Sequence, residues 1–226
     1  FRLGVAAGRW RMNVDGWELW GTHLAPDWIE VSVHDGGTAT KDIVLFTADA
    51  VITGTVYVDG APLGGIGVEA RSLWGWTQDN TGSDGTFSLA VSSKVDEKGG
   101  YHVYAHDWEL DDDLFHLEEH WNVPSGSAGI NVHYVYADAF VEGTAMDEDG
   151  SPIADVKVYA NSDMPPWNWT ETETDAAGAF KLGMIEGNWW VRFDARELIP
   201  HYVAPRDSLV TVSVSYTHLT LPTNRE

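Results

Sequence analysis

The chain repeats itself, and that limits what it can fold into more than any other feature. Residues 1–33 lie on residues 180–212 without a gap, pairing FRLGVAAGRWRMNVD with FKLGMIEGNWWVRFD. Twelve positions are identical, among them Gly8/Gly187, Trp10/Trp189, Asp15/Asp194, Glu18/Glu197, Leu19/Leu198 and Pro26/Pro205. WGWTQDNTGSDGTFSL, residues 74–89, falls in the same way on WNWTETETDAAGAFKL, residues 167–182. The openings match too: VITGTVYVDGAPLGGIGVEA from Val51 pairs with FVEGTAMDEDGSPIADVKVYA from Phe140, so that Gly54 meets Gly143 and Pro62 meets Pro152.

A repeat is therefore about 90 residues long. Residues 1–50 read as the C-terminal half of a truncated repeat, 51–139 as a complete one, and 140–213 as a third, truncated at its C-terminal end. The closing run VSYTHLTLPT reads like a translated sequencing adaptor, which makes 214–226 read-through and puts the end of the natural sequence near Ser213.

Within each repeat, short segments such as 51–58, 67–70 and 156–160 alternate apolar with polar residues, the pattern of half-buried strands. Asp59-Gly60, Asp84-Gly85 and Asp149-Gly150 separate them. In such pairs Gly takes a positive φ while Asp bonds its own backbone. No long segment carries a capped 3.6-residue apolar period. About seven short strands per 90 residues predict an all-β chain of tandem antiparallel β-sandwiches, prealbumin-like or immunoglobulin-like.

ITGTVYVDGAPLGGIGVEA, then TGSDGTFSL, then GGYHVYA resembles the carboxypeptidase regulatory-like domain, a transthyretin-like relative of collagen-adhesin B-type repeats. VEGTAMDEDGSPIADVKVYA, TDAAGAFKL and EGNWWVRFDA are similar to the same pattern. The resemblance implies a seven-stranded sandwich, found in tandem in exported bacterial proteins as spacer, stalk or adhesion segment, or appended to an enzyme. It implies no catalytic residue and no cofactor. One departure concerns a turn: the middle repeat has Gly82 and Asp84 where the third has Asp175 and Ala177.

Composition narrows the partners. With 13 Lys plus Arg against 35 Asp plus Glu and a formal charge of −22, the chain repels phosphate backbones, which argues against nucleic acid. Cysteine is absent, which removes disulfides, thiolate metal sites and thiol nucleophiles. No apolar run reaches the roughly 18 residues of a membrane span. The resemblance implies an extracellular, cell-surface or periplasmic location in a bacterium.

Three motifs carry candidate chemistry. His116-Leu117-Glu118-Glu119-His120 matches H-x-x-E-H, in which a helix presents two imidazoles and a general-base Glu to zinc, so His116, Glu119 and His120 are candidate metal residues. The alignment of Trp108-Glu109-Leu110 on Trp17-Glu18-Leu19 puts the motif in a stretch some seven residues longer than in the first copy, and the neighbouring Asp111, Asp112 and Asp113 equally suit a solvated loop. Asp79, Asn80, Thr81, Ser83 and Asp84 offer oxygens for calcium, but they lack the later bidentate Glu and suit a hairpin turn. Trp74 and Trp76, like Trp167 and Trp169, lie two apart and share a face on a regular strand. Such a pair can stack sugar rings, or pack on its own sandwich or on the next repeat.

The expectation is thus a non-enzymatic structural or adhesive segment whose partners are neighbouring repeats and a polysaccharide or surface protein. The alternatives are a carbohydrate-binding module using the Trp pairs and a metal-dependent hydrolase at the His116 motif.

Overall fold

The computed structural model describes residues 1–16, 18–106, 110, 114–194 and 205–213. The adaptor-like tail, the Asp111 to Asp113 run and the alignment anchors Trp17, Trp108 and Glu109 lie outside the described residues. The regular structure of the described residues is almost entirely strand: β1 (Gly8–Met12), β2 (Ile29–Val33), β3 (Ala50–Val58), β4 (Ala61–Pro62), β5 (Gly67–Ser72), β6 (Gly75–Asn80), β7 (Thr86–Val91) and β8 (Tyr101–Ala105), followed by β9 (Leu114–His116), β10 (His120–Val123), β11 (Ile130–Tyr136), β12 (Ala139–Thr144), β13 (Lys157–Ser162), β14 (Trp169–Glu173), β15 (Ala179–Met184), β16 (Gly187–Phe193) and β17 (Ser208–Val212). These strands form two compact units. Unit 1 is Phe1–Leu110 with Leu117–Tyr134, and unit 2 is Asp111–His116 with Val135–Glu226.

In unit 1 one sheet runs β10-β8-β5-β6, and in the other β3 pairs with β4, β7 and β11. Alternation directs Ile52, Val56, Val68, Ala70, Leu89 and Val103 inward, each wholly buried. Tyr134 Oη donates to Ala105 O at 3.2 Å and so ties β11 to β8. Burial of each of the Ile, Val and Leu side chains stabilises the sandwich by about 1.5–3 kcal/mol. The pairing of β3 with β11 is parallel, Ile130 opposite Gly54 through Tyr134 opposite Val58, so the antiparallel expectation does not hold for this pair. It joins strands more than seventy residues apart, and no local turn chemistry encodes such a pairing.

In unit 2, β12 pairs with β15, and a second sheet runs β14-β13-β16-β17. Its core holds Val158, Ala160, Leu182, Met184, Trp189 and Val212. Phe115 from β9 belongs to the same core, with its ring edge-on to Trp189 at 5.5 Å between centroids.

The aligned copies use the same bonds. β1 pairs with β2 from Gly8 opposite Val33, and β16 with β17 from Gly187 opposite Val212, which is the register the sequence alignment gives. Thr81 Oγ1 donates to Leu63 O and accepts from Ile66 N; Thr174 Oγ1 donates to Ile153 O and accepts from Val156 N. Trp10 Nε1 donates to Ala6 O at 2.9 Å and Trp189 Nε1 to Ile185 O at 3.0 Å. Within residues 51–139 Tyr101 takes this place, its hydroxyl bonded to both N and O of Ser92.

Close approach explains two of the shared glycines. A Cβ at Gly54 would lie 2.6 Å from Phe87 Cζ, and one at Gly143 would lie 2.5 Å from Phe180 Cζ, so each glycine seats the phenyl ring of the opposite strand. The departure at Gly82 and Asp84 leaves the turn intact. Gly82 N donates to Thr86 O as Asp175 N does to Ala179 O, and Asp84 and Asp175 each accept backbone N–H groups within their own turn.

Candidate functional site

The two Trp pairs differ. Gly75, at φ +148°, interrupts strand alternation between Trp74 and Trp76, so Trp74 belongs to the β5–β6 turn while Trp76 lies within β6. Trp74 is edge-on to Phe46 at 6.1 Å and has Lys98 Nζ 5.4 Å from its ring; Trp76 has the Arg71 guanidinium at 5.8 Å. Each indole thus has its own packing partners. In unit 2, Trp167 and Trp169 are 57% and 52% exposed, against 43% for Trp74, and flank the buried Asn168. Asn168 fixes this segment through bonds to Ser162 and to both backbone groups of His116.

The H-x-x-E-H residues do not form a helix. His116 ends β9 and His120 begins β10. His116 Nε2 lies 3.3 Å from Trp167 O, while His120 Nε2 lies 2.8 Å from Asn131 O and 3.7 Å from Glu118. Glu119 accepts from the Trp121 indole. Alternating side chains on strands cannot reproduce the i, i+4 spacing that brings two imidazoles to one ion. Among the described residues, no group of three or more His, Cys, Asp or Glu is arranged to hold a metal.

The calcium candidates are distributed over turn and strand. Asp79 accepts from Asn80 N and Ser88 N, Thr81 bridges Leu63 and Ile66, and Asp84 accepts from Thr86 N and Oγ1. The Thr86 bonds hold the Asp84 carboxyl below its ordinary range.

One polar cluster gave little signal in the sequence. Glu69, on β5 between the wholly buried Val68 and Ala70, is itself buried. Its carboxylate accepts from Arg71 Nε at 2.6 Å and from Tyr104 Oη at 2.7 Å, and His106 Nε2 lies 3.8 Å away. Arg71 Nη1 reaches Asp27 at 2.7 Å. Burial pushes the Glu69 carboxyl up, but the donors His106, Tyr104 and Arg71 outweigh it and hold the group below the usual carboxylate range. Burial, with the Glu69 bond, pushes the Tyr104 hydroxyl up to about 12. A carboxylate committed to this many donors is an anchor, and a poor proton acceptor. In the sequence Glu69 and Arg71 alternate with Val68 and Ala70 along β5, a pattern that assigns both charged residues to solvent.

Beside this cluster lies an open cleft of about 550 Å³ bordered by Trp28, Trp76, Arg71, Asp27, Asp15 and Asn13. It joins indole faces to carboxylate, amide and guanidinium groups. No helix among the described residues is long and apolar enough to cross a membrane.

No family model matches the chain, and no curated protein matches it. Among solved structures it is similar to the Bacillus anthracis TIE protein, at 12% identity over 83% of this chain and 35% of that one, with a TM-score of 0.29. It is similar also to the shaft pilin spaA of Lactobacillus rhamnosus GG, at 10% identity over 72% of this chain and 92% of that one, TM-score 0.27. The pilus backbone RrgB of Streptococcus pneumoniae gives 8% identity over 73% and 57%, TM-score 0.27. The chain thus spans about a third of the length of the TIE protein. Likeness at this level carries nothing about function.

Proposed function

We propose that the chain is a non-catalytic structural or adhesive segment of tandem β-sandwich repeats, from an exported bacterial surface protein of carboxypeptidase regulatory-like type. One observation carries the reading: residues that recur between copies maintain the fold. Thr81 and Thr174 pin equivalent loops, Trp10, Tyr101 and Trp189 close equivalent turns, and Gly54 and Gly143 seat equivalent phenyl rings. A duplicated catalytic or metal site would instead repeat its polar cluster, whereas the Glu69 position in the third repeat is occupied by Tyr159.

Pulling the chain between handles tests the reading. A load-bearing spacer gives separate, reproducible unfolding events at forces typical of β-sandwiches, and a featureless extension contradicts it.

A carbohydrate-binding role is the second reading, favoured by the exposure of Trp167 and Trp169 and by the cleft between Trp28 and Trp76. Sugars stack their apolar C–H faces on such indoles. A glycan panel with Trp fluorescence as readout decides it. Quenching that is lost in the Trp167→Ala, Trp169→Ala double variant supports that reading, and the absence of any response from the wild type removes it.

A further inference from the structure

We propose that the recurring Trp-x-Trp-Thr motif is the acceptor for an apolar residue donated by the preceding repeat, so that each repeat completes the fold of its successor. The two donors stand at the same place in the alignment: Leu24 and Phe115 each lie five residues after the Leu of a Trp-Glu-Leu triplet. Both are buried, at 1% and 0% exposure. The two acceptors are Trp74-Gly75-Trp76-Thr77 and Trp167-Asn168-Trp169-Thr170.

Within unit 1, the residue after the donor bonds the acceptor edge twice, Ala25 N to Trp76 O at 2.9 Å and Trp76 N to Ala25 O at 2.8 Å. A Cβ at Gly75 would lie 3.1 Å from Leu24 Cβ and 2.6 Å from Ala25 O, so the glycine makes room for the incoming segment. Within unit 2, the corresponding residue makes the corresponding pair of bonds: His116 N donates to Asn168 Oδ1 at 2.9 Å and Asn168 Nδ2 to His116 O at 3.0 Å. Asn168 stands where Gly75 does, and its side-chain amide supplies the donor and acceptor that the Trp76 backbone supplies in unit 1. The donated phenyl ring of Phe115 sits among Val158, Ala160, Leu182, Met184 and Trp189.

Phe115 belongs by sequence to the middle repeat and by packing to unit 2. The kind of partner that fits a Trp-x-Trp-Thr edge is therefore a preceding copy of this repeat that presents Leu or Phe, and x must be Gly or a residue able to mimic a peptide. Folding then couples between neighbours along the chain, as in other repeat arrays. The proposal deepens the structural reading. Its failure would leave a string of independent sandwiches that could still act as a spacer.

Hydrogen exchange on the full chain tests it. In Phe115→Ala, the amides of β13 and β16 should exchange at least about 100-fold faster than in the wild type, with β3 and β7 of unit 1 unchanged. If Phe115→Ala yields no folded protein, Phe115→Leu, at about 10-fold, is read by the same criterion. Wild-type rates in unit 2, or equal acceleration in both units, would overturn the proposal.

Discussion

The hairpins β1–β2 and β16–β17 are two copies of one sequence in different surroundings. Their registers coincide, their indoles make the same bond to a carbonyl four residues back, and Gly8 and Gly187 share a φ near 150°. Yet Trp10 is 41% exposed and Trp189 only 1%. Leu3 and Val5 stand exposed where their counterparts Leu182 and Met184 are buried. In unit 2 the segment carrying those counterparts is β15, paired with β12; among the described residues no strand pairs with residues 1–6. Local sequence is therefore enough to set a hairpin's register and turn bonds. Its share of a core comes from strands elsewhere in the chain.

The contrast breaks first at the indoles. Trp189→Ala is expected to destabilise unit 2 by about 3–5 kcal/mol, and Trp10→Ala to change unit 1 by less than about 1 kcal/mol. Denaturant titration with fragment-resolved hydrogen exchange measures both, and similar losses would show that exposure does not separate the two copies.

Charge offers the same contrast of buried against exposed. Glu69 is buried among its donors, whereas Glu30 meets Arg9 and Arg11 on the surface. Because the folded Glu69 titrates below its ordinary value, its stabilisation is complete above about pH 4.3. It is lost as pH falls through the lower folded value. Glu69→Gln should cost about 2–3 kcal/mol at neutral pH and flatten the acid limb of unit 1 melting. An unchanged acid limb would assign that limb to other carboxylates.

The glycines sharpen the comparison from the local side. Gly8→Ala and Gly187→Ala both force a side chain into a conformation that L residues avoid, and each should cost about 1–2 kcal/mol. Equal losses, measured by thermal unfolding, are expected if turn geometry is local; a loss confined to Gly187 would make it tertiary. The smallest effect belongs to Glu30→Gln, which should leave the melting of unit 1 unchanged in 1 M salt, where exposed pairs are screened.

What could be read from the chain divides along the same line. Strand positions such as Ala50–Val58 and the Asp-Gly turns follow from alternation and turn chemistry, both properties of neighbouring residues. The parallel β3–β11 pair was not legible, since it brings Gly54 to Ile130 and no short-range pattern spans that distance. The 3₁₀ turn at Ser93–Lys98 occupies a stretch where the middle repeat is longer than the third, and there the alignment offered no template. It is held from outside, by Asp49, which accepts from Ser93, and by Ser125, which donates to Asp96.

The candidate site was legible only in part. The spacing of Trp74 and Trp76 suggests a shared face, but the positive φ of Gly75 removes it, and a Gly in a strand-like run does not announce which φ it adopts. Trp167 and Trp169 are both exposed, with Asn168 buried between them. Glu69 was missed because its burial depends on Tyr104 and His106 as well as Arg71, and Tyr104 lies on β8 with His106 directly after it. The H-x-x-E-H spacing has its chemical meaning on a helix, and β9 and β10 are strands.

Hydrogen exchange of the unmodified chain, comparing amides of β1 with their aligned partners in β16, tests the division between local hairpin and borrowed core most directly. Protection of β16 should exceed that of β1 by at least about 100-fold, the factor that separates strands inside a core from those at its margin. Equal protection would mean that the hairpin sequence alone sets its stability, and would contradict the account.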